Sequence, residues 1–81
     1  MPVFYFHIRK GADLIDDPDG SELDDLVAAI DEANEDALTL IAERVAAGEM
    51  IEPHVIEVTD ADGSVLAEVR FHDVIFSLIG R

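Results

Sequence analysis

"LDDLVAAIDEANEDALTLIAERVAAG", residues 23–48, decides how the rest of this chain is to be read. On a helical wheel of about 100° per residue, Leu26, Ile30, Ala33, Ala37, Leu40 and Ile41 fall within one stripe. Asp24 or Asp25 can accept the first free backbone N–H groups as an N-cap. Gly48 stands where a left-handed C′ residue ends a helix. The spacing predicts a single helix over residues 25–47, about 35 Å long at the usual rise.

Outside that helix the period becomes two. Downstream, "HVIEVTD" (54–60) separates Ile56 and Val58 from Val55, Glu57 and Thr59, and "SVLAEVRF" (64–71) separates Val65, Ala67, Val69 and Phe71 from Leu66, Glu68 and Arg70. "DADG" between them reads as a hairpin turn. Upstream, "VFYFHIR" (3–9) sets Phe4, Phe6 and Ile8 against Val3, Tyr5, His7 and Arg9. Gly11 allows a reversal into a short partner strand at Leu14 and Ile15. The expected fold is α+β: a two-layer ββαββ arrangement, an antiparallel sheet with one long amphipathic helix on its apolar face, over a single small domain of residues 1–81.

The closing run "HDVIFSLIGR" (72–81) holds Val74, Ile75, Phe76, Leu78 and Ile79, a cluster too apolar for a free tail. Either a short helix from about Asp73 closes one end of the core, or these five residues contact a second copy of the chain.

Composition narrows the function. Nineteen acidic and five basic residues give a formal net charge of −14, which repels phosphate backbones and anionic lipid, so direct nucleic-acid or membrane binding is not expected. With 49% apolar residues and a mean hydropathy of +0.20 the chain still collapses despite its charge. The 81 residues allow only a thin core, and the absence of cysteine removes disulfides, thiolate chemistry and cysteine-ligated zinc. A reducing cytoplasm suits such a chain. "MPVFYFHIRK" has no basic head followed by an apolar run and cleavage site, and no apolar stretch has the length of a membrane span.

Two acidic turns, "DDPDGSELDD" (16–25) and "DADGS" (60–64), resemble calcium loops. Such a loop needs oxygen ligands at its first and twelfth positions when glycine is sixth. Aligning Gly20 puts Ile15 first and Leu26 last; aligning Gly63 puts Val58 first and Val69 last. Apolar residues cannot ligate, so both stretches are expected to turn the chain, through proline-fixed φ, glycine and aspartates that bond their own backbone. His7 and His72 would lie on one open sheet face if their strands were neighbours, and with Glu68 they would suggest zinc; solvated strand histidines are the commoner case. His54 has no partner visible in the sequence. Ser21 and Ser64 follow glycines in turns and lack a nucleophile-elbow context. No catalytic residue, cofactor or metal ligand is assigned.

The charge layout of the helix carries more. Asp24, Asp25, Asp31, Glu32, Glu35, Asp36 and Glu43 fall opposite the apolar stripe with no lysine among them. Asp31 with Glu35, and Glu32 with Asp36, are like-charge pairs four residues apart, each unfavourable by about 0.2–0.5 kcal/mol. Arg44, inside the stripe near the helix end, suits the C-terminal dipole. The face is either a solvated surface or, through Asp31, Glu32, Glu35, Asp36 and Glu43, a docking surface for a basic partner or divalent cations.

The runs "MPVFYFHIRKG", "DPDGSELDDLVAAIDEA" and "IEVTDADGSVLAEVRF" resemble a family of short bacterial proteins known as domain of unknown function 6894, over about residues 1–72. The resemblance rests on strand, turn, cap and hairpin, and implies no catalytic residue and no assigned activity. The functional expectation is a non-enzymatic, cytoplasmic protein-interaction module that self-associates as a homo-oligomer. The alternative is a charge-based binder presenting the helix carboxylates.

Overall fold

The computed structural model describes residues 1–79. Along the chain run β1 (Val3–Lys10), β2 (Asp13–Ile15), β3 (Ser21–Glu22), α1 (Leu26–Ala46), β4 (Val55–Thr59), β5 (Val65–Arg70) and α2 (Phe71–Ile79). The architecture is α+β: one antiparallel sheet in the order β2-β1-β4-β5, with β3 also paired to β1, and α1 packed on its apolar face. The sheet has one strand more than a ββαββ pattern. β2 pairs Ile8–Lys10 of β1, the chain leaves the sheet over residues 16–20, and β3 rejoins it opposite Val3 and Phe4.

That detour is fixed by one carboxylate. Asp17 Oδ1 accepts from the N–H groups of Asp19 and Gly20, both at 3.3 Å, and Oδ2 accepts from Phe6 N–H at 3.2 Å. The β1 donor that the detour strips of a strand partner is thereby satisfied, as a part-buried N–H requires. Gly20 has φ +69°, and a Cβ there would lie 2.8 Å from Val3 Cγ1 and 2.9 Å from Tyr5 Cε2. Only glycine supplies both the left-handed backbone and the close approach to β1.

α1 begins at Asp25, whose side chain accepts from Ala28 N–H at 2.9 Å. It ends in a Schellman motif: Gly48, at φ +72°, donates to Val45 O at 3.0 Å and Glu49 donates to Arg44 O at 2.9 Å. Between these caps the buried line is Ala29, Ala33, Ala37 and Ile41, with the three alanines at 0% exposure. These residues are four apart and so share one face. Small side chains along the row bring the helix axis close to the sheet, where Ile56 and Val58 of β4 are the largest fully buried side chains. Leu26 and Leu40 flank the row half-buried. Ala29 belongs to the stripe, and Ile30 is pushed to its margin.

As far as Ile79 the C-terminal run is a short helix, part of which closes on the core. No loop separates β5 from α2: Phe71, expected as the last inward strand residue, is instead the first helical one, and its N–H donates to His54 O at 3.0 Å. Phe71 and Val74 enter the core and Ile75 packs against it. α2 lies beside α1 and folds back on β5, with Ile30, Asn34, Val69 and Val74 lining the groove between them.

Candidate functional site

β4 is buried on both faces. Ile56 and Val58 face α1, and Glu57 and Thr59, on the side without a helix, are also buried. Flanking side chains cover them. Arg9 Nε donates to Glu57 Oε2 at 2.7 Å, the guanidinium being half-exposed while Glu57 is 11% exposed. That hydrogen bond, then the charge of Glu57, pushes the Arg9 pKa up. His7 lies 3.2 Å from Thr59 Oγ1 through Nε2, and the ring of Tyr5 stacks on it at 6.2 Å. This face is a closed polar network on the solvent side of the sheet, and every buried side-chain polar atom among the described residues has a partner.

The histidines do not converge. His7 is on β1, opposite Glu57 of β4, while His72 is exposed in the first turn of α2, past the end of β5, and β4 separates β1 from β5. Among the described residues no group of three or more His, Cys, Asp or Glu side chains could hold a metal ion. The second acidic turn works as the first does: Asp60 Oδ1 accepts from Asp62 N–H at 2.9 Å and Ser64 N–H at 3.0 Å, closing the β4–β5 hairpin. His54 gains the surroundings its sequence context lacks. It is buried, edge-on to Phe71 at 5.7 Å between ring centres, with Nε2 3.5 Å from Glu52. Its parity with Ile56 and Val58 was the available signal, since positions 54, 56 and 58 of one strand point the same way.

On α1, Asp31, Glu32, Glu35 and Glu43 are exposed, and none has an ion-pair partner among the described residues. Asp36 differs. It is half-buried at the margin of a groove lined by Phe6, Ile8, Leu40 and Ile56. Burial, then the charges of Glu35 and Asp17, push its carboxyl pKa up. It faces the sheet, so of the five carboxylates only the other four are fully exposed.

The five apolar tail residues also divide. Val74 is in the core and Ile75 against it, while Phe76, Leu78 and Ile79 remain 64%, 55% and 71% exposed. They lie on α2, which follows directly on β5, the last strand in the sheet order, whose outer edge has no strand partner among the described residues. The opposite edge is blunted by two very short strands and the acidic 16–20 loop, a common protection of sheet edges; β5 has six residues, with Glu68 and Arg70 as its charged side chains and a register irregularity opposite Val58 and Thr59. Charge follows the same division. Residues 1–63 hold 17 acidic and 3 basic side chains, whereas the described residues 64–79 hold Glu68 and Asp73 against Arg70, a net charge of −1.

No helix among the described residues is long and apolar enough to cross a membrane. No curated protein and no solved structure matches the chain. One family model does, over residues 3–72, spanning every element from β1 into the first turn of α2, and its description assigns no activity. The chain belongs to the family described as Domain of unknown function (DUF6894).

Proposed function

We propose that the protein is a non-enzymatic, cytoplasmic interaction module that self-associates through the flank formed by β5 and α2. The observation that carries this reading is the coincidence, in the β5–α2 unit, of an unpaired sheet edge, three exposed apolar side chains and a net charge of only −1 over the described residues 64–79. Two copies each carrying −14 repel wherever their acidic surfaces meet, and the β5–α2 unit, at −1 over its described residues, is where that repulsion is least. Antiparallel pairing of two β5 strands satisfies their free backbone groups, and Phe76, Leu78 and Ile79 lose water contact in the same step. A two-fold arrangement of this kind uses one surface twice and closes.

Sedimentation velocity over a concentration range reaching high micromolar tests it, comparing the native chain with Phe76→Asp/Ile79→Asp. Both positions are exposed, so the variant keeps its core. A concentration-dependent dimer that the variant abolishes is the expected result; a native chain monomeric throughout refutes the proposal. The absence of cysteine is the reason for assigning a reducing compartment.

A second reading rests on Asp31, Glu32, Glu35 and Glu43, exposed carboxylates on α1 without ion-pair partners among the described residues, which would hold a basic protein or divalent cations. Pull-downs at low and high salt decide it. Partners retained after Asp31→Asn, Glu32→Gln and Glu35→Gln are substituted together would exclude this surface.

A further inference from the structure

Four side chains among residues 1–79 are permanently cationic: Arg9, Lys10, Arg44 and Arg70. Two of them, Lys10 from β1 and Arg44 from the last turn of α1, line one cavity of about 60 Å³ together with His54. Its remaining walls are Ile8, Leu40, Ile41, Ile51 and Phe71, with Glu52 at the rim. In so acidic a chain a pocket with two cations and an imidazole around an apolar floor is an unusual local balance. We propose that this cavity binds a short aliphatic monocarboxylate, its chain lying on Ile8, Leu40 and Phe71 and its carboxylate held by Lys10 and Arg44 beside His54.

Size sets the chain length. A volume of this order accommodates about four to six water-sized groups, which matches an acid of about four carbons and no larger ring system. Charge sets the head group. The His54 pKa is lowered by burial first and then by Lys10, with Glu52 opposing and Arg44 adding a smaller effect, so both cations bear on the imidazole. The Glu52 carboxylate, 64% exposed, lies 3.5 Å from His54 Nε2 at the rim of the cavity. Glu52 forms no ion pair with Lys10 or Arg44, which leaves both cations available to a ligand carboxylate, and its own charge repels that ligand. A neighbouring cleft lined by Lys10, Gly11, Asp13, Pro53 and His54 provides the approach from solvent.

Amide correlation spectra of the full chain, titrated with sodium butyrate at constant ionic strength, test the site, with butyramide as the uncharged control. Saturable shifts centred on Leu40, Ile51, His54 and Phe71, with a millimolar Kd and no counterpart from butyramide, are the expected result. Lys10→Gln and Arg44→Gln should each weaken binding about two- to fivefold, and Glu52→Gln should strengthen it by a similar factor. The spectra themselves report whether each variant is folded. Shifts that fail to saturate, equal shifts from butyramide, shifts centred elsewhere, or weaker binding by Glu52→Gln would each overturn the proposal.

Discussion

Asp17 and His7 hold each other in place: the Asp17 N–H donates to His7 Nδ1 at 3.0 Å while the Asp17 carboxylate accepts from Phe6, the residue before the histidine. Because Nδ1 accepts, the neutral ring carries its proton on Nε2, and that proton points to Thr59 Oγ1. One loop residue therefore orients a side chain on β1, which in turn covers β4. The stretch that resembles a calcium loop uses its carboxylate inside the fold.

Removing that carboxylate should be felt in stability. Asp17→Ala leaves the part-buried Phe6 N–H without an acceptor and should lower unfolding free energy by about 1–2 kcal/mol. Asp17→Asn keeps the side-chain oxygen that Asp19 and Gly20 use, so it should lose less. Urea midpoints at an unchanged slope give both values. An unchanged midpoint for Asp17→Ala would mean that the loop is not latched this way.

The alanine row of α1 sets the distance between helix and sheet. Ala33→Leu inserts bulk where the native residue is 0% exposed and should destabilise by about 1–3 kcal/mol. Val27→Ala, on the exposed side of the same helix, should stay within about 0.5 kcal/mol. Thermal melts of the two variants separate a packed face from a wet one.

The perturbed pKa values give pH effects of opposite sign. His54 titrates below its ordinary 6.5 when folded, so the unfolded chain binds the extra proton. Its contribution is intact above about pH 6.5 and declines as pH falls from there toward the folded value. His54→Phe should flatten that part of the stability profile. The Asp36 carboxyl is raised above its ordinary 3.8, so the folded chain binds the extra proton and ionisation weakens the fold above that range. Asp36→Asn should raise the melting temperature at neutral pH and lose the advantage below about pH 3.8. A destabilised Asp36→Asn at pH 7 would contradict the placement of this residue.

Much of the fold is legible in the sequence because periodicity and turn chemistry are local. The 23–48 stretch, the capping Asp25, the C′ glycine and the β4–β5 hairpin as far as Arg70 stand as read. What was hidden depends on strand order. β3 is two residues long and exists because the chain returns to β1, which no local pattern encodes. Likewise Glu57 and Thr59 read as open-face residues by parity, and they lie on that face; their burial comes from Arg9, His7 and Tyr5 arriving from the neighbouring strand. Lys10 and Arg44 are 34 positions apart, and only tertiary packing brings them to one cavity. The mixed tail could not be divided in advance because α2 begins at Phe71, so its core-facing stripe is set by a start that follows β5 without a loop.

Amide hydrogen exchange of β5 and α2 at two protein concentrations about tenfold apart tests self-association most directly. The edge amides of Val65–Arg70 should exchange more slowly at the higher concentration, in the native chain but not in Phe76→Asp/Ile79→Asp, with α1 unchanged. Exchange in β5 that is independent of concentration, or slowing confined to the β2–β3 edge, would contradict the assignment of this flank as the interface.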